Sequence, residues 1–185
     1  MTTTTLTAER PKPGEYDAYY DRYISLVLGN DIIATLEKQL SRTLAILSAR
    51  SEAEGDFRYA PGKWTLKEVL GHLNDTERIM ACRALRIARG DQTPLAGFEQ
   101  DDYIRDGPFA DLALAALIEE FKSIRAATLT LLRGLRPQDW TRRGIANSNH
   151  ISVRALAYII AGHELHHRSI LEERYFGVQK QAETA

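Results

Sequence analysis

"VRALAYIIAGHELHHRSILEERY", residues 153–175, is the stretch on which the fold turns. Val153, Leu156, Ile160, Ile170 and Leu171 recur at helical spacing and mark one apolar face at about 100° per residue. Ser152 just before it is a favoured N-cap, and the helix is expected to run to near Gly177. His163 and His167 fall near the middle of that face, one turn apart, whereas His166 projects roughly 90° away. Two stacked imidazoles in an apolar stripe need hydrogen-bonding partners and repel each other when protonated. A hydroxyl or carbonyl satisfies a lone core histidine. For two in register a divalent metal does so, because i, i+4 spacing brings both ring nitrogens to one ion.

Three more helices are expected upstream. Ile33, Leu36, Leu40, Leu44 and Leu47 define one from Asn30 or Asp31 to about Arg50. A capping box, Thr65-Leu66-Lys67-Glu68, opens the second, which should stop at Gly90. The third runs from about Leu112 to Arg133, with Leu114, Leu117, Phe121, Ile124, Thr128 and Leu131 on one side. No segment alternates convincingly as a strand. Four helices with one apolar face each imply an all-α four-helix bundle. The links at 91–110 and 136–150 exceed the usual bundle connection of about 2–8 residues and leave room for something other than simple up-down-up-down order. The first of them reads either as the wall of a functional site or as a surface excursion. Residues 1–15 are expected to be a flexible lead-in, 16–178 a single domain and 179–185 a tail.

Composition narrows the function classes. The 185 residues are 44% hydrophobic and 26% charged with a net charge of −1, so no global field draws the chain to nucleic acid or an anionic membrane. Arg78, Arg83, Arg86 and Arg89 give the second helix a basic side, but Glu68, Asp75 and Glu77 interleave with it. A solvated or dimer-facing surface is therefore expected there. No apolar run reaches the ~18 residues of a membrane span, and the start lacks a secretory signal pattern. The single cysteine, Cys82, excludes an intrachain disulfide, fits a reducing, cytoplasmic setting and reads as a small packed side chain. No serine-histidine-acid order or glycine-rich phosphate loop supports another chemistry.

A third metal ligand has two candidates. His72 lies about 110° from the centre of its helix's main apolar face, on a line with Val69, Thr76 and Ile79 that a second neighbour could cover. His150 precedes His163 by about 20 Å along a helix, which suits a loop or cap role better. Carboxylates that could orient a ligand histidine are Glu68 and Asp75 around His72, and Glu164 beside His163, which could also act as a base. The alternative for each is a solvated helix face. Trp64, before the capping box, reads as a plug at the bundle end. Because proton and metal compete for each imidazole, affinity is expected to fall below about pH 6.5.

In ordered combination, "YISLVLGNDII" (23–33), "WTLKEVLGHLNDTERIMACRALRIARGD" (64–91), "TPLAGFEQDDY" (93–103) and the 153–175 stretch resemble the DinB-like/YfiT-like superfamily of metal-binding four-helix bundles. The resemblance implies a bundle with a long crossover, a homodimer, and one divalent ion held by His72, His163 and His167. Three neutral imidazoles leave at least one coordination position open, the arrangement of a catalytic site. Zinc or nickel is expected, with iron a further candidate, since imidazole suits all three. Relatives include S-transferases and isomerases that use small thiols such as mycothiol or bacillithiol, and metal-dependent hydrolases. The expected function is one of these on a small-molecule substrate, with a low-molecular-weight thiol as a candidate cofactor; the alternative is a catalytically silent metal-binding stress or interaction protein. A cavity open to solvent and walled by 91–110 would favour the enzyme.

Overall fold

The computed structural model describes residues 9–177. A 3-10 turn, Ala18–Tyr20, leads into α1 (Asp21–Ile24), followed by α2 (Ile32–Leu47), the short α3 (Glu52–Gly55) and α4 (Leu66–Ala88). Next come α5 (Gln100–Asp106), α6 (Leu114–Arg133), the short α7 (Pro137–Trp140), a hairpin β1 (Arg143–Ala146) and β2 (Asn149–Ser152), and α8 (Val153–Ile170). The last helix continues as a π-helical segment, Leu171–Phe176. Among the described residues no helix is long and apolar enough to cross a membrane.

Local chemistry accounts for the helix ends. Asp31 accepts from the Ala34 amide at 3.0 Å, and Ser152 from the Ala155 amide at 3.1 Å, so each satisfies a donor the helix itself leaves unpaired. Thr65 and Glu68 form the reciprocal capping box of α4. Beyond α4, Gly90 adopts φ +84°, the left-handed conformation that glycine reaches without a Cβ clash. Helix α6 has no side-chain cap of its own; Glu52 of α3 accepts from the Leu114 amide at 2.9 Å instead.

The four long helices form the bundle. Helix α4 packs against α6 and α8, and α2 packs against the same two, so α2 and α4 lie across a diagonal although they are consecutive long helices. The long links make that order possible, as expected from their length. One apolar cluster gathers Ile32, Leu36, Met80, Ile87, Leu132, Leu156 and Ile160. A second gathers Leu47, Leu66, Leu70, Leu117, Phe121 and Leu171. Between them every helix contributes buried polar side chains: Gln39 and Thr43 of α2, His72 and Glu77 of α4, Arg125 of α6, and His163 and Glu164 of α8. The core is thus two apolar blocks separated by one polar layer.

Two expectations change. The 136–150 link contains a strand pair, which periodicity missed because four-residue strands offer at most two side chains per face. Asn147 and Ser148 make its turn with φ of 50° and 63°, the left-handed pair that a tight hairpin needs. The Leu95 amide donates to the Ile145 carbonyl and the Asn147 amide to the Leu95 carbonyl, both at 2.9 Å, so the hairpin anchors the 91–110 link. Second, packing begins before residue 16. Arg10 donates to the Ile24 carbonyl at 2.7 Å, and the buried Glu15 carboxylate accepts from Arg154 at 2.7 Å and from Ser152 at 2.8 Å. The rest of the expected lead-in, 1–8, and the expected tail, 179–185, lie outside the described residues.

Candidate metal centre

Helices α4 and α8 meet at the polar layer and bring His72, His163 and His167 together. Each offers a ring nitrogen, and the three nitrogens lie within 4.8 Å of one another. The Nε2 atoms of His72 and His163 are 2.9 Å apart. These separations are comparable with twice the ~2.0–2.1 Å of a metal–imidazole bond, so the donor set fits one divalent ion. Periodicity left His72 off its helix's main face; the packing of α8 covers that second line and leaves the residue 4% exposed.

Burial sets the protonation state. It is the main cause that lowers His72 to about 4 and His167 to about 3, reinforced by neighbouring histidines. The same two causes hold His163 well below the ordinary value. All three rings are therefore neutral and able to ligate across the neutral range. Competition from protons within the folded chain consequently sets in well below the pH 6.5 expected for unperturbed histidine.

Aromatic rings and one hydroxyl surround the triad. Trp64 sits 5.0 Å from the His72 ring and stacks at 14° on His167, 6.5 Å away. It covers the histidines and packs against the second apolar cluster. Tyr23 meets His163 edge-on at 5.3 Å. Thr76 Oγ1 lies 3.5 Å from His72 Nδ1, one helical turn on, and is the nearest side-chain partner for that nitrogen. Sequence reasoning placed Thr76 on the His72 line but overlooked its hydroxyl.

The expected carboxylate partners are elsewhere. Glu164 is buried, but Thr43 donates to it at 2.5 Å and Arg125 pairs with it at 2.8 Å. Glu77 holds the other side of Arg125 through two bonds of 2.8 Å. Glu68 accepts from the Thr65 amide at 2.6 Å as part of the cap. Asp75 faces Arg78 at 3.8 Å, beside Glu120, and burial pushes its carboxyl up. Each of the three thus bonds or pairs with a cationic, hydroxyl or amide partner rather than with a ligand histidine. His150 stands exposed on β2, and His166 packs edge-on against Tyr23 at 5.6 Å, outside the triad. Cys82 is exposed rather than packed. The basic side of α4 divides: Arg78 pairs with Glu120 at 2.6 Å and Arg86 with Asp91 at 2.6 Å, while Arg83 is buried.

Two cavities border the histidines. One cavity of about 350 Å³ is lined by His72, His163, Tyr23, Thr76 and Arg83, and by Gly97–Asp101 of the link. A second, of about 280 Å³, is lined by His167, Trp64, Tyr59 and Tyr175. Asp101, at the start of α5, borders both. The 91–110 link is therefore a wall of the site, anchored to the hairpin at Leu95.

A family model described as the DinB superfamily matches residues 35–171. Among solved structures, YfiT from Bacillus subtilis, described as a probable metal-dependent hydrolase with an unusual four-helix bundle topology, aligns with a TM-score of 0.69. Identity is 14%, over 95% of this chain and 99% of that one. The mycothiol-dependent maleylpyruvate isomerase aligns with a TM-score of 0.64 at 15% identity. That match covers 78% of this chain and 60% of the isomerase, so the chain spans only part of its length. At these identities the likeness is one of fold. No curated protein matches the chain.

Proposed function

The chain belongs to the DinB superfamily, and from that premise we propose that it is a metal-dependent enzyme acting on a small molecule, as a small-thiol S-transferase or a hydrolase. His72, His163 and His167 would hold one divalent ion, zinc or nickel first and iron next. The observation that carries this reading is the convergence of three neutral ring nitrogens at the foot of a solvent-reaching cavity. A sealed triad would favour a catalytically silent metal binder; a cavity walled by the 91–110 link favours chemistry.

A divalent ion here would supply Lewis-acid chemistry, polarising a carbonyl or favouring the deprotonated form of a thiol or water. The chain's own residues do the rest. Thr76 orients the His72 ring, and Trp64 and Tyr23 pack against the imidazoles and line the cavities that reach them. His72 and His163 line one cavity and His167 the other, so a thiol and its electrophile could reach the triad by different routes. Glu164 is committed to Arg125 and Thr43, which leaves proton transfer to solvent or to the thiol itself.

The test is elemental analysis followed by activity screens on metal-loaded protein. Bacillithiol, mycothiol and related thiols are offered with chlorodinitrobenzene or an epoxide, and activated esters and amides without thiol. Metal-dependent conjugation supports the transferase; metal-dependent cleavage alone supports the hydrolase. Neither activity with a full complement of metal rejects the enzyme in favour of the silent binder. Oligomeric state by light scattering tests the homodimer that the family resemblance implies.

A further inference from the structure

Three arginines are buried among the described residues: Arg83, Arg125 and Arg154, at 5%, 0% and 7% exposure. Arg125 pairs with Glu77 and Glu164, and Arg154 with Glu15. Among the described residues no carboxylate pairs with Arg83. Its guanidinium donates to the Ala96 carbonyl at 2.6 Å, contacts Met80 Sδ at 3.5 Å, and lies 5.8 Å from the Phe98 ring centroid. A buried charge left unpaired is costly, and the guanidinium fork matches a carboxylate or phosphate bidentately.

We propose that Arg83 is the anion-binding residue of the substrate pocket, and that the ligand is an elongated small molecule with a single carboxylate or phosphate remote from its reacting end. The inference rests on reading the larger cavity as the substrate pocket. Arg83 is the only lysine or arginine among the residues lining that cavity, which also reaches His72 and His163. The lining carboxylates, Asp17, Glu99 and Asp101, are more exposed, so a polyanion is disfavoured while one anionic group is met at depth. The contact with Met80 places the guanidinium back along α4 toward His72. Met80 lies eight residues beyond His72, about 12 Å at the α-helical rise, which sets the length of the ligand. Thr76 and Met80 line the path between. Burial also lowers the Arg83 pKa, an effect that a bound anion would reverse.

The experiment titrates acetate, inorganic phosphate and straight-chain dicarboxylates from succinate to sebacate into zinc-loaded and metal-free protein, followed by calorimetry and amide NMR. Acetate or phosphate should bind in both metal states, and the tighter of the two identifies the ligand's anionic group. Dicarboxylates of intermediate length should gain affinity over acetate only when zinc is present. Arg83→Met should weaken binding about tenfold or more, the loss of one charge-assisted pair. Its melting temperature should stay level or rise, because an unpaired buried charge is removed. Undiminished anion binding in Arg83→Met, or no anion binding to wild type, overturns the proposal. If zinc fails to bind while anions still require Arg83, the metal reading fails and this one stands.

Discussion

Glu164 follows His163 in the chain, yet its carboxylate is held 2.8 Å from the Arg125 guanidinium on another helix. The pair belongs to the polar layer between the two apolar blocks, and Thr43 donates to the same carboxylate. Arg125 keeps its bidentate pair with Glu77 when Glu164 is neutralised, so its charge is not left bare. Glu164→Gln should therefore lower the free energy of unfolding by about 1–3 kcal/mol while the folded protein still takes up one ion per chain. Denaturant unfolding and elemental analysis check this. Unchanged stability with lost activity would restore Glu164 as a catalytic base.

The ligand assignment separates the three adjacent histidines. His163→Ala and His167→Ala should weaken zinc binding more than about 100-fold, beyond the range usual for an outer partner, and His72→Ala should do the same. His166→Ala should keep it, since that ring packs on Tyr23 outside the triad. Competition with a chromogenic chelator measures all four. Retained affinity in His167→Ala with loss in His166→Ala would refute the geometry.

Thr76 is expected to tune the site without contacting an ion. Thr76→Val keeps the volume and removes the oxygen 3.5 Å from His72 Nδ1. Zinc affinity should fall by about 10–100-fold, the usual cost of losing an outer partner. Affinity equal to wild type would show that the hydroxyl does not orient the ring.

Acid should destabilise the metal-free protein through its histidines. Burial first, and mutual repulsion second, lower His72 to about 4 and His167 to about 3 in the folded state. Unfolded histidine titrates near ~6.5, so below that value the unfolded chain binds more protons than the native one. Stability should be level above about pH 6.5 and fall toward about pH 4, by up to about 1.4 kcal/mol per unit for each imidazole. Zinc loading should reduce the loss, because the ion binds the native state. Melting temperatures of metal-free protein that do not change between neutral pH and about pH 5 contradict the depressed values.

Gly162 lies where α1 crosses α8. A Cβ there would meet the Tyr23 carbonyl oxygen at 2.1 Å, a backbone contact that no rotamer change relieves. Gly162→Ala should displace α1 and with it the Tyr23 ring beside His163, costing about 1–3 kcal/mol and altering thiol or anion binding more than zinc binding. An unperturbed Tyr23–His163 contact in a crystal structure of the variant would disprove the coupling.

Much of this protein is legible in its sequence because local physics decides it. The caps at Asp31, Thr65 and Ser152 and the apolar stripes of four helices depend on residues within a few positions of one another. So does the i, i+4 register of His163 and His167. The tertiary structure alone decides what comes from across the bundle. His72 lies on a side line of α4, and only the packing of α8 onto that line makes it a partner of His163, 91 residues away. Glu164 reads as a candidate base until Arg125, from a helix some forty residues earlier, claims it. Arg83 reads as part of a solvated basic side until the link folds over it and the Ala96 carbonyl becomes its partner. Short strands such as Arg143–Ala146 escape because two side chains per face carry too little pattern. Periodicity assigns a side chain to a face; only packing determines what that face meets.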